Sequence, residues 1–500
     1  KPGGTVLRNL QDGNFKGSLY VVNPKMDEVQ GIKAYRDVKD LPEVDCAILA
    51  IAAKFCPSTV EVLAKQKNTK AFIILSAGFH EENEEGAKLE RQIVETINSV
   101  GGSLIGPNCI GVLTNHYSGV FTSPIPELNP QGVDLISGSG ATALFIMDSG
   151  MQKGIKFNSM YSVGNSAQLG VEEILEYMDE SFDPKTSSRV KLLYVESIEK
   201  PEKLLKHASS LIRKGCRIAA VKSGGSAAGS RAASSHTGAL ASSDVAVEAL
   251  FRKAGIVRCN GRDELMTVAG IFMHPEMKGR NMAVVTHAGG PAVMLTDALS
   301  NGGMDVPHIE GEKAQELLGK LFAGSSVGNP IDFLATGTAE QLGYILDACD
   351  RDFDNIDGMA VIFGSPGLFP VFDVYNVLDE KMKTSKKPIF PIFPSSKIVK
   401  DEIAEFVSKG RVYFPDEVLF GNALCKIYKT PAPQPEHFEM PDMDVKKIRE
   451  VVDNAQNGYL SPDEIHALLD AAGVARAKEG VSDNEEEIVK MAKEIGFPLV

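Results

Sequence analysis

The sequence predicts an α/β protein in which strands alternate with helices around parallel sheets. Short apolar runs bounded by Gly, Pro, Asn or Asp alternate with amphipathic stretches of about 10–15 residues, which is typical of βαβ units. This alternation restarts after Pro130 and again at Asn281. In addition, two of the regions resemble each other at a constant spacing of 149 residues.

The apolar and amphipathic patterns place the elements in three consecutive regions. In the first region we predict strands at Leu19–Val22, Cys46–Ile51, Ala71–Leu75 and Ser103–Ile105, with helices at Thr59–Lys67 and Gly86–Ser99. In the second we predict strands at Val133–Ile136, Val190–Val195 and Arg217–Lys222, with helices at Ala141–Gln152, Leu204–Lys214 and Ser243–Lys253. In the third we predict strands at Asn281–Val285, Gly358–Phe363 and Pro388–Phe393, with a helix at Pro291–Ser300.

The internal repeat aligns Asp134–Asp148 with Ala283–Asp297. Identical residues at this spacing include Gly140 and Gly289, Asp148 and Asp297, and Gly154 and Gly303. Strand–Gly–helix turns in α/β proteins resemble one another, so a chance match is the alternative. We favour a duplicated domain, which predicts two copies of one strand–loop–helix corner.

The last seventy residues form a separate region. Residues 430–442 carry four prolines and predict an extended linker. Ser461-Pro-Asp-Glu464 is a capping box that opens a helix ending near Ala472, and a second helix is predicted at Asn484–Ile495. The chain opens at Lys1 without Met and closes on an apolar run, 497–500, so we expect both ends to be cuts inside domains.

Composition excludes several classes of protein. A net charge of −14 argues against non-specific nucleic-acid binding, but allows a small anion in a local pocket. The seven cysteines are scattered without a C-x-x-C pair, which argues against zinc ribbons, ferredoxin clusters and disulfide scaffolds. No apolar run reaches the ~18 residues of a membrane span. We therefore expect a cytoplasmic protein that binds neither membranes nor nucleic acid.

The segment Ser223–Leu240 is the most informative part of the sequence. Nearly all of its residues are Gly, Ala, Ser or Thr, and only Arg231, His236 and Leu240 have sizeable side chains. Such a composition is also typical of a flexible linker. However, the segment joins a strand directly to an amphipathic helix, and a linker needs no single histidine. Small residues let backbone N–H groups approach a ligand, so we favour a loop that presents His236 for chemistry.

The two repeated corners are candidate anion sites. Ser139, Gly140 and Ala141 precede one predicted helix, and Gly289 and Gly290 precede the other. A helix N-terminus offers free N–H donors and favours an anion by ~0.3–1 kcal/mol. For either corner alone, a tight turn explains the glycines equally well. If both helix ends face one cleft, that cleft can hold phosphate without a cluster of basic residues.

Further candidates lie where strands end, because ligands bind at the carboxyl edge of parallel sheets. Glu196 follows the strand 190–195 and could accept the spare N–H of His236, although a solvated glutamate is the favoured interpretation from the residues alone. The turns Val21–Lys25 and Ile105–Gly111 could contact an adenine, ribose or pantetheine. Ordinary turn chemistry explains their prolines equally well.

With these residues in view, the whole chain resembles the NDP-forming (ADP-forming) acyl-CoA synthetases, or acetate–CoA ligases, the fused relatives of succinyl-CoA synthetase. The motifs that carry the resemblance are Ser234–Ala241, similar to the phosphohistidine loop, Gly106–Cys109, Val22–Lys25, Ser76–Phe79, Ser162–Asn165 and Gly328–Asp332. The resemblance implies a CoA-binding Rossmann-like domain over 1–127, lacking its first strand. It implies flavodoxin-like ligase domains over 128–268 and 269–429, a linker over 430–444, and the start of an ATP-grasp domain over 445–500.

The resemblance implies a reversible reaction that uses CoA, phosphate, ADP or ATP, and Mg²⁺. It makes His236 the phosphoryl acceptor and Glu196 the residue that orients it. It assigns phosphate to Ser139, Gly140, Ala141, Gly289 and Gly290, and the substrate to Asn165. It assigns CoA to Gly4, Asn23, Pro24, Lys25, Ile51, Ala52, Asn108 and Cys109. Nucleotide and metal sites are expected mostly beyond residue 500, and the acid is expected to be short, with a homodimer as the assembly.

Two residues depart from the family pattern. Gly138 stands where relatives commonly carry Gln, and His287 stands where they commonly carry Asn. His287 could donate a hydrogen bond to phosphate or simply complete a turn; we favour the donor.

Two other functions are alternatives. The chain could be an inactive CoA-ligand sensor fused to a protein N-acetyltransferase, although a sensor has no need of His236 and Glu196. An NAD-dependent dehydrogenase is disfavoured because no intact G-x-G-x-x-G follows a strand.

Overall fold

The computed structural model describes residues 2–13, 15–237, 243–365, 367, 370–435, 441–456 and 458–496, with the backbone alone over 233–237. The chain divides into two compact units, 1–434 and 435–500. The larger unit contains all the described strands, which form four sheets. The predicted α/β fold class is therefore confirmed.

The strands are β1 (Val21–Val22), β2 (Glu28–Val29), β3 (Ile32–Tyr35), β4 (Cys46–Leu49), β5 (Ala71–Ile74), β6 (Ser103–Ile105), β7 (Gly111–Thr114), β8 (Tyr117–Val120), β9 (Leu128–Ser137), β10 (Phe157–Ser162), β11 (Val190–Val195), β12 (Arg217–Lys222), β13 (Val257–Cys259), β14 (Met282–Thr286), β15 (Ile331–Asp332), β16 (Gly358–Ile362) and β17 (Ile389–Ile392).

The α-helices are α1 (Pro2–Asp12), α2 (Cys56–Gln66), α3 (Glu84–Ser99), α4 (Gly140–Gln152), α5 (Val171–Glu180), α6 (Pro201–Arg213), α7 (Ala227–Thr237), α8 (Asp244–Ala254), α9 (Arg262–Phe272), α10 (Gly289–Asn301), α11 (Glu312–Leu318), α12 (Ala339–Arg351), α13 (Phe372–Thr384), α14 (Lys400–Ser408), α15 (Glu417–Lys429), α16 (Val445–Asn454), α17 (Pro462–Ala471) and α18 (Glu485–Ile495).

The largest sheet has seven strands in the order β13-β12-β11-β9-β10-β7-β8. Its first five strands are parallel, whereas β7 and β8 form an antiparallel hairpin along the β10 edge. A second sheet, β15-β14-β16-β17, is wholly parallel. Parallel strands buried on both faces read as continuous apolar runs, which is why β12 and β16 were recognisable in the sequence.

The N-terminal residues build two three-stranded sheets. One has the order β4-β5-β6 and is parallel, and the other has the order β1-β3-β2. Helices α2 and α3 cover the first of these sheets, burying Val60, Ile93 and Ile97. Asn83 caps α3 by accepting a hydrogen bond from Gly86 N at 2.9 Å.

One hydrophobic core joins the seven-stranded sheet to the four-stranded sheet. Helices α4 and α9 supply it from one side and α10 and α15 from the other, with Ile146, Met266, Leu295 and Phe420 fully or almost fully buried. The starts of α4 and α10 are thus anchored in the same packed layer.

The predicted repeat is visible in the backbone. Helices α4 and α10 both have 13 residues and begin and end 149 positions apart. Gly154 and Gly303, which follow them at the same spacing, both have φ of 86°. Such positive φ angles favour glycine, so the repeat preserves the turn after each helix.

The segment predicted as a loop around His236 is partly helical. Backbone residues 227–237 form α7, contrary to our expectation of a loop. Ser226 begins the helix, because its Oγ accepts a hydrogen bond from Gly229 N at 3.0 Å. Alanine has the highest helix propensity, and we gave it too little weight beside the neighbouring glycines and serines.

The smaller unit contains α16, α17 and α18. The predicted capping box of α17 is present, with Ser461 N donating to Glu464 Oε2 at 2.7 Å and Glu464 N donating to Ser461 Oγ at 3.3 Å. Throughout the part of the chain that the structure describes, no helix combines the length and the apolar character needed to cross a membrane.

Candidate active site

The first corner is the turn from β9 into α4. Ser137 Oγ donates to Ser139 O at 2.7 Å and accepts from Ser139 N at 3.2 Å. Ser139 then caps the helix, accepting from Thr142 N at 3.4 Å. Gly140 is half-buried and Ala141 exposed, so this helix start is open to solvent on one side. The corner can therefore offer N–H donors to an anion.

The second corner, from β14 into α10, repeats this geometry. Thr286 Oγ1 donates to Ala288 O at 2.7 Å and accepts from Ala288 N at 2.9 Å. Ala288 offers no capping side chain, so the first N–H groups of α10 have no partner from the cap residue. Gly289 and Gly290 are exposed. In each corner a serine or threonine hydroxyl thus holds the turn by two hydrogen bonds, and an exposed helix start follows the turn.

The turn that follows β6 lies against the first corner. A Cβ atom on Gly140 would fall 2.5 Å from Ile110 Cγ2, so the helix start and the turn are in close contact. Ile110 N also donates to Ser162 Oγ at 3.1 Å. The structure therefore brings the predicted CoA residues Asn108 and Cys109 next to the predicted phosphate residue Gly140.

Turns after three neighbouring strands form a row at the carboxyl edge of the β4-β5-β6 sheet. Asn108 N donates to Ser76 O at 2.9 Å, and Ser76 Oγ donates to Ile51 O. Asn108 has φ of 55°, a left-handed conformation that asparagine tolerates. Cys109 is buried, and burial raises the pKa of its thiol to about 12. Cys109 is therefore a packing residue in this structure, while Ile51 and Asn108 are accessible.

The remaining predicted CoA residues occupy neighbouring surfaces. The start of α1 approaches β4, since a Cβ on Gly3 would lie 3.3 Å from Ala50 Cβ, and Gly4 O accepts from Gln30 Nε2 at 2.8 Å. Ala52 is exposed after β4. These contacts place Gly4 near the row of turns.

Asn23, Pro24 and Lys25 lie on the other small sheet, after β1. Lys25 N donates to Asn23 Oδ1 at 3.0 Å, and Pro24 O accepts from Arg36 Nη1 at 2.9 Å. Among the described residues, no hydrogen bond links them to Ile51 or Asn108. Val22 and Met26 are exposed apolar side chains beside this turn. Ile51 and Phe55 are exposed apolar side chains that follow β4.

Asn165 belongs to a polar network between β10 and the N-terminal turns. Its Nδ2 donates to Glu81 Oε2 at 2.5 Å and to Glu90 Oε2 at 3.2 Å, and its Oδ1 accepts from Asn108 at 3.3 Å. Burial would raise the pKa of Glu81, but Asn165 and the N–H groups of Gly78 and Phe79 hold it below its usual value. The amide of Asn165 thus braces Asn108, and its predicted contact with substrate stays a prediction.

Glu196 lies just past the end of β11 and is half-buried. Its Oε1 accepts a hydrogen bond from the phenol of Tyr194 at 3.3 Å. The next strand is close, because Ser223 N donates to Val195 O at 3.0 Å. The side chain of His236 lies outside the described residues. The predicted pairing of His236 with Glu196 therefore stays a prediction.

Charged residues lie at both ends of the segment that carries His236, where it leaves β12 and where it enters α8. Lys222, at the end of β12, is buried, and its Nζ lies 3.5 Å from Gly224 O. Burial lowers the pKa of Lys222. Arg258 of β13 pairs with Asp244, at the start of α8, and with Glu248 at 3.0 Å. Both ends of the segment are thus fixed to the seven-stranded sheet.

His287 lies at the second corner, stacked on Phe363 with ring centroids 4.3 Å apart. Burial lowers its pKa, although the backbone of Ile362 and Gly364 and the carboxylate of Asp332 lie close enough to oppose this. Within the described part of the chain, its Nδ1 makes no hydrogen bond of normal geometry. Its role as a hydrogen-bond donor to phosphate stays a prediction.

Sequence reasoning missed Tyr194 and Thr142 as members of this site, and it identified Ile110 only as part of the turn Ile105–Gly111. Tyr194 was detectable, because residues two apart on a strand share a face, which placed it beside Glu196. Ile110 carried no such signal, since its contact with Gly140 joins parts of the chain that are distant in sequence. The described contacts also do not join the two corners directly, so their arrangement about one cleft stays a prediction.

Comparisons with known proteins agree with this architecture. Residues 1–115 match the model of a CoA binding domain, and residues 130–272 match that of the succinyl-CoA ligase like flavodoxin domain. ADP-forming acetate–CoA ligase I of Archaeoglobus fulgidus is 31% identical over 100% of this chain and 72% of its own length. The alpha subunit of ADP-forming acetate–CoA ligase II of Pyrococcus furiosus is 32% identical over 82% of this chain and 89% of its own.

Solved structures give the same result. The dinucleotide-forming acetyl-coenzyme A synthetase 1 of Ca. Korarchaeum cryptofilum, in complex with phosphate and ADP, superposes with a TM-score of 0.76 and 26% identity. The match covers 86% of this chain and 92% of that one. From this similarity, and from the full-length similarity to the curated ligases, we conclude that the chain belongs to the family of ADP-forming acetate–CoA ligases.

Proposed function

We propose that this protein is an acid–CoA ligase that converts acyl-CoA, ADP and phosphate reversibly into carboxylate, CoA and ATP. Phosphate oxygen attacks the thioester carbon, the C–S bond breaks, and CoA leaves as a thiol from an acyl phosphate. An imidazole nitrogen of His236 then attacks phosphorus, the P–O bond to the acyl group breaks, and the carboxylate leaves. In the last step the phosphoryl group passes from His236 to ADP.

The matched corners at α4 and α10 are the observation that carries this proposal. Each presents an open helix start behind a hydroxyl-braced turn, and both helices pack into one core. Fixed N–H donors aimed at a phosphoryl group stabilise its charge without reorganisation during the reaction. We assign phosphate to Ser139, Gly140, Ala141, Gly289 and Gly290, with His287 as an additional donor.

The contact between Ile110 and Gly140 supports the thioester step. The turn after β6, which we propose binds CoA, lies beside the first corner, so phosphate held at α4 would lie near a thioester held at Asn108. The exposed apolar side chains Val22, Met26, Ile51 and Phe55 suit the adenine and pantetheine of CoA, and exposed Lys25 suits its phosphates. Asn165 would position Asn108 or contact the acyl group.

His236 is the proposed nucleophile and Glu196 its orienting partner. A neutral imidazole, with an ordinary pKa of about 6.5, is a competent nucleophile at neutral pH. We propose that residues 445–500 begin the ATP-grasp domain that binds ADP with Mg²⁺. Among the described residues, no three His, Cys, Asp or Glu side chains cluster as a metal site, so we assign none of them to Mg²⁺.

We further propose domain limits at 127/128, 268/269 and 429/430, a short-chain acid such as acetate, a homodimer and a cytoplasmic location. The alternative of an inactive sensor fused to an N-acetyltransferase finds no support, since the similar proteins are named as ligases.

Incubation of the chain with ³²P-phosphate and acetyl-CoA tests the proposal. We expect acid-labile, base-stable label on the protein, because phosphohistidine has this stability, and loss of at least 95% of it in His236→Ala. His308, whose side chain is 70% exposed, provides a matched control, and His308→Ala should be labelled like the wild type.

Two results would contradict the assignment. Label retained in His236→Ala would exclude this residue as the acceptor. Label that persists there but disappears in His287→Ala would move the acceptor to the second corner.

A further inference from the structure

Tyr194 lies where the parts of the proposed site meet. It is the last residue but one of β11, and its phenol donates to Glu196 Oε1 at 3.3 Å. Its carbonyl accepts from Gly138 N, in the first corner, at 3.0 Å. One residue thus contacts both the proposed orienting carboxylate and the turn before α4.

Two hydroxyl groups from other elements interact with the same phenol. Thr142 belongs to the first turn of α4, and Ser223 opens the segment that carries His236. Both lower the pKa of Tyr194, but burial, the largest influence, raises it above the ordinary value. The phenol is therefore protonated at neutral pH and can donate to a carboxylate.

We propose that Tyr194 is a positioning residue, which fixes Glu196 relative to the start of α4 so that His236 and phosphate are held in one geometry. The inference rests on the proposed function and extends it to a residue that touches no reacting atom. The phenol donates to Oε1 of Glu196 and so fixes that carboxylate oxygen relative to β11. A carboxylate held in this way keeps the imidazole in one orientation during attack on phosphorus.

A purely structural role is the competing explanation, because the ring of Tyr194 also packs against the core between the sheets. Tyr194→Phe separates the two roles, since it keeps the ring and removes the hydroxyl. Tyr161→Phe is a matched control: Tyr161 is a half-buried tyrosine of β10, and its hydroxyl interacts with Ser159 rather than Glu196.

The experiment measures the rate constant for ³²P labelling of the chain against acetyl-CoA concentration. For Tyr194→Phe we expect about a tenfold lower maximal rate, as for loss of one hydrogen bond to a charged group. The acetyl-CoA concentration that gives half the maximal rate should change less than twofold. Tyr161→Phe should leave both quantities unchanged.

A double-mutant cycle with Glu196→Gln decides whether Tyr194 acts through Glu196. We expect the double variant to be labelled within twofold of the rate of Glu196→Gln alone. Rates that fall by the product of the two single effects would overturn the inference, as would a wild-type rate in Tyr194→Phe.

A second variant tests the inference in case Tyr194→Phe folds poorly. Ser223→Ala removes another group that interacts with the phenol, and should lower the maximal rate about threefold with the half-maximal concentration unchanged. An unchanged rate would count against the inference. Absence of label in the wild type would instead refute the proposed function itself, and the inference with it.

Discussion

His274 is a buried side chain that couples stability to pH. Its ring lies between Phe390 and Phe414, with centroids 5.1 and 5.7 Å away. Its Nδ1 donates to Gly270 O at 2.8 Å, while Nε2 is buried and has no partner among the described residues. Burial lowers the pKa of His274 to about 4. The ring is therefore neutral at neutral pH.

This shift makes the folded state weaker in acid. The unfolded chain takes up the proton near pH 6.5, whereas the folded chain does so only near pH 4. Stability due to this group is thus present above pH 6.5 and lost as the pH falls towards 4. In His274→Asn the titration is absent. We expect the unfolding free-energy difference between wild type and variant to shrink by about 2–3 kcal/mol between pH 7.5 and 4.5.

Urea unfolding at the two pH values measures this difference. His308→Asn, at an exposed position, is the control for the substitution itself. A constant difference for His274→Asn would mean that the buried ring titrates normally.

Asn165 and Asn108 show what a motif can indicate about single residues. Both were identified in the sequence as site residues, but only the structure shows that they hydrogen-bond each other at 3.3 Å. The other partners of Asn165, Glu81 and Glu90, lie more than seventy positions from it. Such contacts depend on how the sheets pack, and no local pattern encodes them.

The starts of α4 and α10 look alike in sequence but differ in packing. A Cβ on Gly140 would fall 2.5 Å from Ile110 Cγ2, whereas a Cβ on Gly289, its counterpart in the repeat, would meet only Asp332 Oδ2, at an ordinary contact distance of 3.6 Å. Isoleucine is branched at Cβ and has little freedom to move aside. The first corner therefore requires glycine for close approach, and the second does not.

Matched alanine substitutions test this difference. Gly140→Ala should lower the unfolding free energy by about 1–3 kcal/mol through overpacking. Gly289→Ala should change it by less than about 0.5 kcal/mol or raise it slightly. Urea unfolding of both variants measures the effect. Equal stabilities would show that the turn after β6 can move away from α4.

Helix α7 marks the limit of prediction for single elements. The composition of Ser223–Leu240 led us to expect a loop, yet residues 227–237 are helical. Ser226 supplies the cap, and the alanines that follow favour helix. By contrast, β12 was predicted with its observed limits, Arg217–Lys222, because a strand buried on both faces has an unbroken apolar pattern.

The division at 434/435 makes the larger unit a candidate for independent folding. Gln434, its last residue, still contacts α8, since its N–H donates to Lys253 O at 3.0 Å. Its carbonyl accepts from Arg213. A chain that ends after Gln434 keeps these contacts and the complete core between the two larger sheets.

We expect the chain 1–434 to melt within about 2 °C of the full chain, because no core residue is lost. Its Kd for CoA should agree within twofold. Thermal unfolding and titration calorimetry with CoA measure these quantities. Truncation after Asp416 is the control, because it removes α15 with buried Phe420 and Leu424 and should abolish cooperative unfolding. A large loss of stability in 1–434 would show that the smaller unit supports the larger.

The sequence by itself determined the α/β class, the repeat of 149 residues and the two corners, because strand periodicity, turn residues and helix starts are local properties. It also carried the family motifs. Only the tertiary structure decided that Ile110 packs on Gly140, that Tyr194 joins Glu196 to the first corner, and that residues 111–120 add a hairpin to the seven-stranded sheet. Each of these features joins elements that are distant in the chain, so it depends on tertiary packing and not on a local pattern.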